Sequence, residues 1–143
     1  MKTVLLALSA LSLASASAFA DPIADRKALM KERGGIVGGQ LAPIVKGEKD
    51  YEAAAVMTAL QALDANAKAF DVDTLFPAGS DTGETKASPK IWQDMAGFKA
   101  AVDKFSADVA AAVAANPQDL ATLQPLFGAI TSNCGACHSA WRM

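Results

Sequence analysis

Apolar residues recur along this chain at helical spacing, in four separate stretches. In the first, Ile23, Met30, Val37 and Ile44 stand seven apart, with Leu41 filling in. That spacing marks one face of a helix. Gly34, Gly35, Gly38 and Gly39 weaken it, and Pro43 predicts a kink or an end. Lys46-Gly47-Glu48-Lys49 reads as a turn, and Asp50 is placed to cap a second helix. That helix carries Val56, Leu60, Leu63, Ala67 and Phe70.

The stretch from Asp71 to about Ala87 holds Pro77, Gly79, Ser80, Asp81 and Gly83, and reads as a long loop. Leu75 and Phe76 are the residues expected to pack it down. Ser88-Pro89 is a cap followed by a first-turn proline. The clearest stripe follows: Ile91, Met95, Phe98, Val102, Phe105, Val109 and Val113. Asn116-Pro117 repeats the start signal, and the last helix carries Leu120, Leu123, Phe127, Ile130, Cys134 and Trp141. Pro125 inside it predicts a kink or short break. Alanine is abundant and β-branched runs are absent. The expected fold is all-α, an antiparallel four-helix bundle.

The first twenty residues follow a different pattern. Lys2 precedes an apolar run from Val4 to Leu13, and small residues end at Ala18-Phe19-Ala20. These are the parts of a secretory signal peptide, with cleavage expected after Ala20. The run is too short and too broken by serine for a comfortable membrane span. The expected organisation is a leader over 1–20 and one helical domain over 21–143, without a membrane span after cleavage. A bacterial setting would then place the domain in the periplasm, which is oxidising.

Composition narrows the chemistry. The formal net charge is −2, from 13 basic and 15 acidic residues, which argues against nucleic acid as a partner. Two cysteines and one histidine are too few for a conventional four-ligand zinc site. All three fall in Cys134-Gly135-Ala136-Cys137-His138. Cys-x-x-Cys-His is the attachment signature of a c-type haem. Two thiols add across the two vinyl groups of one haem, and the adjacent imidazole supplies the proximal iron ligand. Attachment needs export, which the leader independently predicts. Three other uses of the cysteines compete: a structural disulfide, free thiols, or a thioredoxin-like redox pair. The redox pair belongs early in a βαβ unit, and no such unit can follow here.

A C-terminal CxxCH in the last of four helices, followed by Trp141-Arg142, resembles the cytochrome c′ family, the class II c-type cytochromes. Arg26-Lys27-Ala28-Leu29-Met30, Lys46-Gly47-Glu48 and Leu75-Phe76-Pro77 carry the resemblance across the rest of the domain. The resemblance implies one haem c held through Cys134 and Cys137, with His138 on the iron. It implies two options for the far side. Met30 is the sixth ligand of a low-spin electron carrier, or that face stays open and binds NO or CO. On periodicity alone an inward Met30 is ordinary core; Met95 is the other inward methionine. The resemblance also implies that Arg26 pairs with a haem propionate and that Arg142 lies beside the proximal histidine. The alternatives are a solvated Arg26, and an Arg142 that complements the helix C-terminus. Trp141 packs on the haem or closes the bundle end.

The expected role is single-electron transfer between periplasmic redox proteins, a carrier and not an enzyme. Gas binding is the alternative. The resemblance also implies a homodimer paired through the first helices, which the glycine strip Gly34/Gly38 and Gly35/Gly39 would suit; a locally frayed helix is the alternative.

Overall fold

The computed structural model describes residues 21–143; the leader and its cleavage point lie outside them. Helix α1 spans Pro22–Gly34 and runs through a π-helical segment, Gly35–Leu41, into the short α2, Ala42–Val45. Helix α3 spans Ala53–Ala69, α4 Val72–Leu75 and α5 Lys90–Gln93. Helices α6, Met95–Ala115, and α7, Leu120–Trp141, complete the chain.

The long helices form the expected bundle. Helix α6 packs on α7 and α3, and α3 packs on α1 and the π segment. Cross-helix partners run in opposite order along each pair. Phe98 meets Trp141 while Asn133 bonds Asp108, so α6 and α7 are antiparallel. Arg33 reaches Asn66 of α3, while Arg26, nearer the start of α1, reaches Leu75 just beyond the end of α3, so α1 and α3 are antiparallel too.

Aspartates start most of these helices. The carboxylates of Asp21, Asp71, Asp94 and Asp119 accept backbone N–H bonds from the first turns of α1, α4, α6 and α7. Such a cap contributes about 1 kcal/mol. Four sequence expectations change here. Asp50 does not cap α3, which begins at Ala53 after an extended Glu52. The third stripe is broken at Asp94, whose side chain turns to cap Gly97 at 2.9 Å and starts α6 afresh. Asn116 ends α6 in a left-handed conformation, φ 44°, and Asp119 starts α7. Of the kink or short break expected at Pro125, the break is absent: α7 runs through it. The proline removes only a bond to the carbonyl of Ala121, an exposed first-turn residue that water can satisfy.

The π segment is the least expected element. Ala42 N–H bonds to Val37 O, five residues back. Glycines at 35, 38 and 39 offer no side-chain resistance to the wider turn, and a Cβ built on any of them would meet no atom within 4 Å. Proline 43 has no N–H to return to an α-helical ladder. The wider turn shifts register, and Ile36 is buried where Val37 is only half-buried.

Two cores result. One is aliphatic and closed, with Leu41, Val56, Leu60, Leu63, Val109, Leu123 and Ile130 at 0 % exposure. The other is aromatic. Phe70, Phe76, Phe98 and Trp141 meet in tilted or edge-on pairs, with centroids 4.8 to 5.8 Å apart. Leu75 and Phe76 are buried there and pack the long loop down as expected. The chain end closes this region: Ser88 N–H donates to Trp141 O and Met143 N–H to Lys86 O, both at 2.9 Å.

Candidate haem site

A cavity of about 930 Å³ opens beside the aromatic core, bounded by α1, α6, α7 and the 83–87 loop. Its volume is at the upper end for small-molecule and cofactor sites, and most of its wall is apolar, as such sites require. Helix α7 supplies Cys134, Cys137 and His138 to the wall; α1 supplies Arg26, Met30 and Arg33; Arg142 stands at the chain end. Every site residue expected from sequence lines this one cavity. Met95 does not line it and packs against the aromatic core.

The helix explains the α7 trio. Residues at i, i+3 and i+4 share a face, so both sulfurs and the imidazole turn the same way. Gly135 and Ala136, between the cysteines, are exposed. Both cysteines are half-buried and form no disulfide with each other. Burial pushes both thiols up from their ordinary range, while the Arg33 cation pulls each back down. Desolvation, with Arg142 and Arg33 adding repulsion, holds the His138 pKa below its ordinary value. A neutral imidazole keeps a ring lone pair free for a metal.

The α1 side holds two buried arginines, one turn before and one turn after Met30. Arg26 spends its terminal donors on the loop. Nη1 donates to Leu75 O and Ser80 Oγ, both at 3.1 Å; Nη2 donates to Ser80 O at 2.7 Å and Thr85 Oγ1 at 2.8 Å. Its guanidinium also lies 4.7 Å from the Phe76 ring centroid. Only Nε is left for a further partner. Arg33 was not expected from sequence at all. Its guanidinium is sandwiched between Phe105, 4.2 Å to the centroid, and Phe70, at 4.9 Å. Its Nε donates to Asn66 Oδ1 at 2.9 Å. Asn66, also unexpected, donates in turn to Leu29 O and Glu32 Oε2. A signal was present: Arg26, Met30, Arg33 and Val37 sit at i, i+4, i+7 and i+11, one helical face.

The chemistry of this donor set suits a porphyrin: two adjacent thiols, a neutral imidazole and a large apolar wall edged by cations. The family model described as Cytochrome C′ matches residues 21–142. The chain belongs to the cytochrome c′ family. It is 40% identical over 124 residues to a cytochrome c-556 of Agrobacterium fabrum, covering 87% of this chain and 82% of that one. Among solved structures, cytochrome c′ from Rhodobacter Spheriodes superposes with a TM-score of 0.78 at 30% identity, covering 85% of this chain and 95% of that one. The nitric oxide complex of a mutant cytochrome c prime from Alcaligenes xylosoxidans superposes at 0.76 and 29% identity, covering 85% and 93%. Members of the cytochrome c′ family bind haem c covalently, and in this chain the attachment runs through Cys134 and Cys137.

Proposed function

We propose that this cytochrome c′ relative is an exported, periplasmic single-electron carrier. In this reading His138 and Met30 would be the residues that hold the haem iron. One observation supports it above the others. Met30 on α1 and His138 on α7, a thioether and a neutral imidazole, line the same cavity as the two thiols. The bound haem supplies reversible one-electron exchange between ferric and ferrous iron. The chain's own residues do the rest. The thiols would fix the group beside α7, the imidazole would offer its lone pair to the iron, and the aromatic core walls that end of the cavity. Met30 would give a soft thioether ligand, which favours the reduced state and leaves no open position for small molecules. Arg26 fixes the loop at the cavity rim and keeps Nε for a propionate. Arg142 adds a cation beside His138. The partners are periplasmic redox proteins, and no substrate is transformed. Pairing of two copies through the first helix belongs to the same reading, supported by the exposed strip at Gly35 and Gly39 in its π segment.

The second reading is NO or CO binding on an open face. Likeness to the nitric oxide complex of the Alcaligenes protein favours it. Optical spectra of the holoprotein, oxidised and reduced, with and without CO, separate the two. The carrier reading expects a low-spin spectrum that CO does not move, and a change to high spin in Met30→Ala. A high-spin spectrum that shifts with CO sinks it in favour of gas binding. A Met30→Ala variant that stays low-spin removes Met30 as ligand.

A further inference from the structure

Arg33 is 9 % exposed, yet no carboxylate pairs with it among the described residues. Its Nη2 nitrogen is buried without a hydrogen-bond partner. A buried guanidinium in this state is costly, and such groups are ordinarily paired or neutralised. Desolvation lowers its pKa only to about 10, so near neutral pH it remains a cation. Two aromatic faces and Asn66 hold it in place, and the Asn66 amide links it to the Glu32 carboxylate. The same side chain lines the haem cavity. It is close enough to both cysteines and to His138 for its charge to act on all three.

We infer that Arg33 is a built-in cation of the haem cavity that holds the haem toward its reduced form. Ferric haem carries one more positive charge than ferrous haem, so a fixed cation in a low-dielectric wall repels the ferric state more strongly. The aromatic sandwich and Asn66 keep that charge at one position. Arg33 acts here as a positioning residue: it needs no bond to the iron or to an iron ligand. The inference requires haem in this cavity and is independent of whether Met30 ligates.

The test is spectroelectrochemical titration of the holoprotein at neutral pH, with electrons supplied by a mediated electrode. Arg33→Gln removes the charge and keeps a polar side chain toward Asn66. The expected result is about a tenfold rise in the ferric-to-ferrous ratio at a fixed applied potential, a fall of about 59 mV for one electron. Arg33→Lys keeps the charge and is expected to retain more than half of the wild-type advantage. Asn66→Asp leaves Arg33 in place but sets a carboxylate against it, and is expected to shift the ratio in the same direction as Arg33→Gln. It carries the test if Arg33→Gln does not retain haem. An Arg33→Gln ratio within twofold of wild type overturns the inference. So does an Arg33→Lys protein that falls as far as Arg33→Gln. A shift that appears only together with a changed spin state also overturns it, because altered ligation then accounts for the shift.

Discussion

The bundle is built differently at its two ends. One end is filled by Leu41, Leu60, Leu63, Val109, Leu123 and Ile130, all without exposed surface. The other is framed by Phe70, Phe76, Phe98 and Trp141, and beside this frame lies the haem cavity. Aliphatic side chains fill space by interdigitating, and the protein alone completes that packing. Flat rings in edge-on pairs make a stiff wall instead. The wall also takes up charge: Arg26 lies over Phe76, and Arg33 over Phe70 and Phe105. The first end is stable by its own contacts, and the second is designed around a group that the polypeptide does not contain.

Removing the attachment is the strongest way to test this contrast. Replacing Cys134 and Cys137 together by serine is expected to abolish haem that survives denaturation. It should also expose the difference between the ends, since a ligand bound only by the native state stabilises what it touches. Hydrogen exchange should show faster exchange at Phe98 and Trp141, while Leu60 and Leu123 keep their protection. Uniform loss of protection would mean that the two ends fold as one unit and that the contrast is only compositional.

Next in size is Leu63→Ala at the closed end. Its expected cost is about 2–5 kcal/mol, from lost burial and the cavity left behind. Denaturant unfolding should report a similar loss with and without haem, since Leu63 does not line the haem cavity. A smaller loss follows at the aromatic end from Arg26→Met. It strips the loop oxygens of Leu75, Ser80 and Thr85 of their shared donor, at a cost of about 1.5–3 kcal/mol. Limited proteolysis should then cut between residues 77 and 87 first. Cleavage elsewhere would show that the loop is held by Leu75 and Phe76 alone.

The smallest effect concerns acid. Asp119 is held below its ordinary value of 3.8, chiefly by the backbone N–H of Thr122, which its carboxylate accepts in capping α7. Because the folded pKa is depressed, the contribution is complete above 3.8 and fades as pH falls through the lower folded value. Thermal unfolding across this window should lose less stability in Asp119→Asn, which caps without titrating. Equal slopes in both proteins would assign the acid sensitivity to other carboxylates.

Much of this was legible in one dimension. The four stripes gave the bundle because burial on one helical face leaves a period that needs no partner to be seen. The thiols and the histidine were legible because the attachment chemistry demands them side by side. Arg33 and Asn66 were not. A charged residue is expected at the surface, and the amide that holds Arg33 lies in another helix, 33 residues along the chain. Cap positions were misread for a local reason. Asp50 and Asn116 both have cap chemistry, and only the packed chain decides that Asp50 starts no helix here, that Asn116 ends α6, and that Asp94, inside an unbroken stripe, starts it.

The π segment has a further consequence for how this chain tolerates length changes. It holds one residue more than an α-helix of the same rise would. Deleting a single glycine from Gly35–Leu41 would let the segment relax into regular α-helix without breaking it. Each helical residue turns the chain by about 100°. Making the segment regular α-helix with every residue kept would instead rotate everything before it by that amount against Leu41 and Ile44, which are buried in the closed core. Arg26, Met30 and Arg33 would leave the cavity wall together. The wider turn works as an angular setting: it absorbs the extra residue, so that one end of the helix stays fitted to a hydrocarbon interior while the other is aimed at a cofactor.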